Sequence, residues 1–312
     1  MSPEAERKQR LRRRAALTSV SVASVLAAAK LVAALLSGSV AVLSSLADSL
    51  ADIAASSLTL WTVAVAHLPA DEEHRFGHGK AEALSALVQA ALVGGSGIYV
   101  VYAAIQRVVD PQPITYAGVA LGVMGLSVVG SIAIVTVQSW VLRRVKSVAI
   151  EADSLHYRGD VLSNLAVVAA LLVEQWTSWP WLDPIVGTVI AAYLFGAAFK
   201  IARESIDLLM DRELSEEERE RIFTIVLDDP DTRGMHDLRT RSIGRSPHIE
   251  LHLELEGHLD LWQAHEVTDR VELALGRAFP GAAVTIHQEP EGLEDERLDD
   301  RVRAASERRR KP

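Results

Sequence analysis

The sequence predicts an all-α membrane domain of six helices followed by a small cytoplasmic α+β domain. Three observations predict it. Six long apolar segments follow one another, the charge balance reverses near mid-chain, and the apolar periodicity changes after residue 210.

A helix needs about 20 apolar residues to cross a hydrocarbon core of about 30 Å. Segments 15–36, 40–67, 83–106, 114–141, 148–174 and 183–206 meet or approach that length. One such run could be a buried helix of a soluble protein, but six in succession with short connections point to a membrane. The basic run Arg7, Lys8, Arg10, Arg12, Arg13 and Arg14 resembles the start of a signal peptide. The apolar stretch after it continues to residue 36 with no suitably framed A-x-A site, so a first membrane helix is expected instead.

Basic residues lie before helix 1, between helices 2 and 3 (Arg75, Lys80), between helices 4 and 5 (Arg143, Arg144, Lys146) and after helix 6. The alternate connections carry Arg107 alone. Both termini are therefore expected in the cytoplasm, with Trp176, Trp179 and Trp181 at the outer interface.

The 312 residues are 49% hydrophobic and carry a net charge of −9. Residues 1–150 hold 13 Lys+Arg against 9 Asp+Glu, whereas residues 151–312 hold 19 against 32. That asymmetry suits a membrane part followed by a soluble part, and the acidic total argues against nucleic acid as a partner. Cysteine is absent, which excludes disulfides, cysteine-based zinc fingers and iron–sulfur clusters. A metal site in this chain must use His and carboxylates, which leaves zinc, iron, cobalt, nickel, manganese and cadmium open.

Beyond residue 210, residues 215–228 read as an acidic amphipathic helix. Residues 247–256 alternate strictly, with Ile249, Leu251, Leu253 and Leu255 on one face, as a half-buried strand does. Residues 235–243 suit a partner strand, 260–278 a helix and 282–288 a last strand. The domain reading is a basic N-terminal segment at 1–14, the six-helix domain at 15–210, an α+β domain at 211–290 and a charged tail at 291–312, either disordered or a frayed helix.

Asp48 and Asp52 lie four apart on helix 2, and His156 and Asp160 four apart on helix 5, so each pair shares one helix face. An ionisable group inside a membrane costs about 3 kcal/mol on insertion scales, so such groups are paired and functional. Four N/O ligands on two rigid helices suit a tetrahedral divalent cation, which also offsets the carboxylate charge. An interhelical hydrogen-bond cluster or a proton relay uses the same residue types, with Arg158 and Lys30 as partial neutralisers. Glu151 and Asp153, near the start of helix 5, read as vestibule or interface charges.

In the loop between helices 2 and 3, Asp71, His74 and His78 have a spacing that can gather three ligands, or that can belong to a solvated polar loop. His236, His252 and His287, with Glu289 two residues on, sit on or beside expected strands, and His265 lies on the helix between them. On a sheet's polar face such histidines are commonly just exposed, and His248 and His258 are read that way.

D-x-x-x-D on helix 2 and H-x-x-x-D on helix 5 resemble the cation diffusion facilitator family. The segments LADSLADIAAS, ADEEHRFGHGKAEAL, EADSLHYRGDVLSN, DLLMDREL, GMHDLRTRSIG and VTIHQEP are similar to its bacterial zinc/ferrous-iron efflux branch over residues 12–290. The resemblance implies a homodimeric inner-membrane antiporter that expels Zn2+, Fe2+ or Cd2+ against protons, with metal as both substrate and regulatory ligand and no organic cofactor. It makes Asp48, Asp52, His156 and Asp160 the transport site and Asp71, His74 and His78 a second site. It places His236, His252, His265 and His287 in a zinc cluster at the dimer interface. Glu289 departs from the family's Asp, and Lys80 with Asp211 matches an interlocking ion pair.

Alternatives remain at this stage. The same mechanism can serve Mn2+, Co2+ or Ni2+, or the membrane part can anchor a metal sensor. An intramembrane metalloenzyme would need an open coordination position and a general base, and no H-E-x-x-H occurs.

Overall fold

The computed structural model describes residues 3–37, 40–109, 118–177, 182–243, 246–293 and 297–310. They fall into two compact units, 1–206 and 207–312. The first contains α1 (Pro3–Ser37), α2 (Val40–Val65), α3 (Ala81–Val109), α4 (Gly118–Leu142), α5 (Val148–Thr177) and α6 (Leu182–Leu209), the last running into the second unit. By length and hydropathy, stretches of α1, α3, α4 and α6 qualify as membrane spans. Large side chains such as Leu36, Ile98 and Phe199 are exposed on the helix surfaces, as expected where the solvent is lipid. Of the tryptophans assigned to the outer interface, Trp176 falls in α5, whereas Trp179 and Trp181 lie outside the described residues.

Within the basic segment at 1–14, α1 begins at Pro3. Glu4 with Lys8, and Glu6 with Arg10, form i,i+4 pairs along its exposed first turns. Arg12 then ties α1 to its neighbours: its Nη2 donates to the Lys146 carbonyl at 2.6 Å, and its Nη1 lies 3.8 Å from Glu82 Oε1. Ser147 Oγ donates to Glu82 Oε2 at 2.5 Å and completes that knot. Deeper in the bundle the packing is tight. A Cβ on Gly130 of α4 would meet Leu26 Cδ1 of α1 at 2.8 Å, so a larger residue there would push the Leu26 side chain aside.

The second unit holds α7 (Glu216–Leu227), β1 (Thr232–Ser242), β2 (Pro247–Leu255), α8 (Leu261–Ala278), β3 (Ala283–Pro290) and α9 (Leu298–Arg310). Ser215 with Glu218, and Asp260 with Gln263, form capping boxes that fix where α7 and α8 begin. The sheet order is β1-β2-β3, with β1–β2 antiparallel and β2–β3 parallel, α8 being the crossover. Ile249, Leu251, Leu253 and Leu255 all point into one core with Ile222, Val226, Val267, Val271 and Leu275. The expected alternation of β2 is thus present, with its polar face opposite this core.

Where the sequence suggested disorder or a frayed helix from 291 onward, residues 298–310 form α9. Its start is capped by Asp237, whose Oδ2 accepts from the Leu298 N–H at 2.8 Å and whose Oδ1 accepts from the Asp299 N–H at 3.0 Å. Asp237 holds left-handed backbone, φ 51°, in reaching this position.

Candidate metal centres

In the membrane unit, α2 and α5 bring Asp52, His156 and Asp160 together, with one ligand atom from each lying within 4.8 Å of the others. His156 Nε2 is 2.8 Å from Asp52 Oδ1 and 3.9 Å from Asp160 Oδ2. A three-point, one-nitrogen, two-oxygen set of this size suits a small divalent ion. Asp48 is exposed, one helical turn from Asp52, and falls outside the close cluster. Asn164 fixes the Asp160 turn by donating to its carbonyl at 2.7 Å. Next to Asp160, Gly159 lets α6 approach, since a Cβ there would meet Leu194 at 3.2 Å.

Of the vestibule and interface readings of Asp153, burial favours the interface: it is fully buried between helices. Its Oδ1 accepts from Ser56 Oγ at 3.0 Å and from Gln89 Nε2 at 3.1 Å, and its Oδ2 accepts from Gln138 Nε2 at 2.6 Å. Gln138 also donates to Ser19 Oγ at 2.8 Å, while Ser56 Oγ lies 2.8 Å from the Tyr157 hydroxyl. Helices α1 to α5 therefore each contribute to one buried polar knot. Glu151, two residues earlier, is exposed. Sequence reasoning missed this knot. Its signal was a polar stripe on α2, where Ser45, Asp48, Ser49, Asp52, Ser56 and Thr59 recur at helical spacing.

The loop between α2 and α3 gathers Asp71, His74 and His78. Asp71 Oδ1 accepts from the backbone N–H of His74 at 2.6 Å and of Glu73 at 3.0 Å, a local Asx turn. Those N–H groups, His74's first, hold the Asp71 carboxyl below its ordinary value. His74 Nδ1 lies 3.3 Å from Asp71 Oδ1, and His78 Nε2 lies 3.3 Å from Asp71 Oδ2. Gly77, at φ 79°, provides the turn between the two histidines.

In the second unit, strand register forms two rows. His236, His252 and His287 pair across β1, β2 and β3, and Gly234, Glu254 and Glu289 pair two residues along. Glu289 is the meeting point. Its carboxylate lies 2.6 Å from His252 Nδ1, 3.2 Å from His236 Nε2 and 3.4 Å from His287 Nε2. The longer arm of Glu thus reaches all three rings. Glu254 Oε1, a partner not foreseen, lies 2.9 Å from His236 Nδ1 and accepts from Arg297 Nη2 at 2.8 Å. His265 is exposed on α8, 3.6 Å from Asp269, and stands outside this cluster.

His258 is exposed as expected, 3.3 Å from Glu256. His248 is half-buried rather than a free surface group; burial first, then the Arg241 charge, lowers its pKa. Lys80 opens α3, and Asp211 adopts φ 56° just past α6, with its Oδ2 3.6 Å from Arg241 Nη1. The two belong to separate compact units.

Residues 16–210 match the cation efflux transmembrane domain, and residues 214–291 match the cytoplasmic domain of cation efflux proteins. The chain is 44% identical over 284 residues to the cation-efflux pump FieF of Klebsiella pneumoniae, covering 91% of this chain and 94% of that one. It is 43% identical over 281 residues to the FieF pump of Salmonella agona, covering 90% and 93%. A solved chain of CzrB in its zinc form is 39% identical, covering 28% of this chain and 99% of its own length, with a TM-score of 0.26. With both units matched in order along nearly the whole chain, the protein belongs to the cation diffusion facilitator, or cation efflux, family.

Proposed function

We propose that this chain is a proton-coupled exporter of divalent metal ions in the inner membrane, with Zn2+ its foremost substrate and Fe2+ and Cd2+ also carried. The observation that carries this reading is the Asp52–His156–Asp160 cluster, built by two helices of a membrane unit. Similarity to pumps named for cation efflux supports the direction of transport. One imidazole nitrogen among carboxylate oxygens leans toward zinc over manganese, which prefers all-oxygen sites.

Proton coupling follows from the ligand chemistry. His and carboxylate must be deprotonated to hold metal, so loading releases protons and reprotonation releases metal. Imidazole titrates near neutrality and is the group suited to that exchange. In this reading Asp48 swings one turn inward to complete four-fold coordination, and Asp52, His156 and Asp160 supply the rest. Helices α2 and α5 move as a pair, so that the same ligands face the cytoplasm and then the outside.

The loop set Asp71, His74 and His78 and the sheet set His236, His252, His287 and Glu289 act as cytoplasmic metal sites that regulate transport. His265 and a second copy of the chain complete the latter in a homodimer. Lys80 and Asp211 couple the membrane and soluble units. Both termini face the cytoplasm.

The test is Zn2+ flux into reconstituted vesicles under an imposed pH gradient, against a panel of divalent ions. Flux should follow the gradient and vanish in Asp52→Ala and His156→Ala. Normal flux in either variant would overturn the assignment.

A further inference from the structure

Lys30 of α1 is only 5% exposed, deep in an apolar helix. Its Nζ donates to Ser49 Oγ at 2.6 Å and to the Ser45 carbonyl at 3.2 Å, both on α2. Ser45, Asp48, Ser49 and Asp52 stand at i, i+3, i+4 and i+7, so they share one helix face. The ammonium is thereby seated on the stripe that carries two of the transport-site carboxylates. Asp48 and Asp52 flank Ser49 on this face, one residue before it and three after, so their negative charges bear on the ammonium. Arg158 takes no such position: it is exposed, and its guanidinium donates to Ser139 Oγ at 3.3 Å.

An empty site with three carboxylates inside a membrane carries a heavy desolvation cost unless a cation stands near. Metal supplies that charge only while it is bound. For the empty half of the cycle the protein needs a charge of its own, and Lys30 is placed to supply one. A divalent ion entering the same field is then repelled by a positive charge that cannot leave, because it is tethered to α1.

We propose that Lys30 is a tethered competitor of the transported ion, balancing the empty site and keeping metal affinity low enough for release. This inference rests on the transport-site reading above. It assigns Lys30 a positioning and affinity-setting role and makes it no ligand.

The test uses the full chain in proteoliposomes with Zn2+ as probe. Initial rates against Zn2+ concentration, and equilibrium Zn2+ binding, are compared for wild type, Lys30→Met, Lys30→Gln, Lys30→Arg and Ser49→Ala. Removing the charge should lower the half-saturating Zn2+ concentration about tenfold and reduce the maximal rate, since one nearby charge at partly buried range is worth that much. Lys30→Gln keeps a hydrogen bond to Ser49 and reads the charge alone. Lys30→Arg and Ser49→Ala retain the charge and should stay within about twofold of wild type. Unchanged or weaker Zn2+ affinity in the neutral variants, or an equal effect from Lys30→Arg, would overturn the inference. Asp52→Ala in parallel separates the two claims. If it transports normally, the site reading fails; if it is inactive while Lys30→Met matches wild type, only the role of Lys30 fails.

Discussion

Asp237 and Asp299 cap one another across 62 positions of sequence: the Asp299 N–H donates to Asp237 Oδ1 at 3.0 Å, and the Asp237 N–H donates to Asp299 Oδ2 at 3.1 Å. With Leu298 donating to the same Asp237 carboxylate, one side chain meets two of the unpaired donors at the start of α9. Asp237→Ala should cost about 1 kcal/mol at this cap and release the tail. Hydrogen exchange of residues 298–310 would speed up, while exchange of β2 stays slow. Unchanged protection of the tail would show that α9 is held elsewhere.

Gly234 makes room for Glu254. A Cβ at 234 would sit 2.8 Å from Glu254 Oε2, the far end of a flexible side chain, so Gly234→Ala should fold while shifting that carboxylate. The His236 ring then loses the partner at its Nδ1. Zn2+ binding by the 207–312 unit should weaken about tenfold, as loss of an orienting carboxylate does, with thermal stability nearly unchanged. Calorimetric titration of that unit checks it.

Asp153→Asn replaces two acceptor oxygens with one acceptor and one donor, facing Gln89 and Gln138 amides that already donate. At least one buried donor is left without an acceptor, at about 1–3 kcal/mol. The full-length protein in detergent should melt at a lower temperature, and Asp153→Ala should melt lower still. A melting temperature equal to wild type for both variants would remove Asp153 from the list of bundle-holding groups.

The Asp229–Arg270 pair sets an acid limit on the soluble unit. The Arg270 guanidinium, donating to both Asp229 oxygens at 2.8 and 2.9 Å, holds that carboxyl below its ordinary value of 3.8. Its stabilising contribution is therefore fully present above pH 3.8 and is lost as pH falls through the lower folded value. Arg270→Ala should destabilise the 207–312 unit at pH 7 and converge with wild type toward pH 2. Urea unfolding at both pH values would show this, and a difference that persists in acid would contradict it.

Much of the chemistry was legible because side-chain spacing alone carries it. D-x-x-x-D and H-x-x-x-D put Asp52, His156 and Asp160 on facing helix surfaces, and the alternation of 247–256 gave the core face of β2. What spacing cannot convey is rotation and register. Glu151 and Asp153 are alike in type and two residues apart, yet roughly 200° of helical turn leaves one exposed and buries the other. Asp48 shares a face with Asp52 but stands a full turn from the closed cluster. The three histidines form one row only through a pairing among three strands, one of them parallel. The tail reads as either disordered or a frayed helix because its stabilising partner, Asp237, is remote in sequence.

The parallel seating of β3 also sets an order of events during synthesis. Glu289, on which three histidines converge, lies in the last strand of the sheet, after the α8 crossover. All six long helices have already been translated by then, and domains generally fold from the N-terminus as they emerge. The membrane carboxylates are thus in place before the cytoplasmic histidines have anything to gather around. A ribosome stalled short of Ala283 would leave a chain with its intramembrane acids complete and its cytoplasmic cluster open.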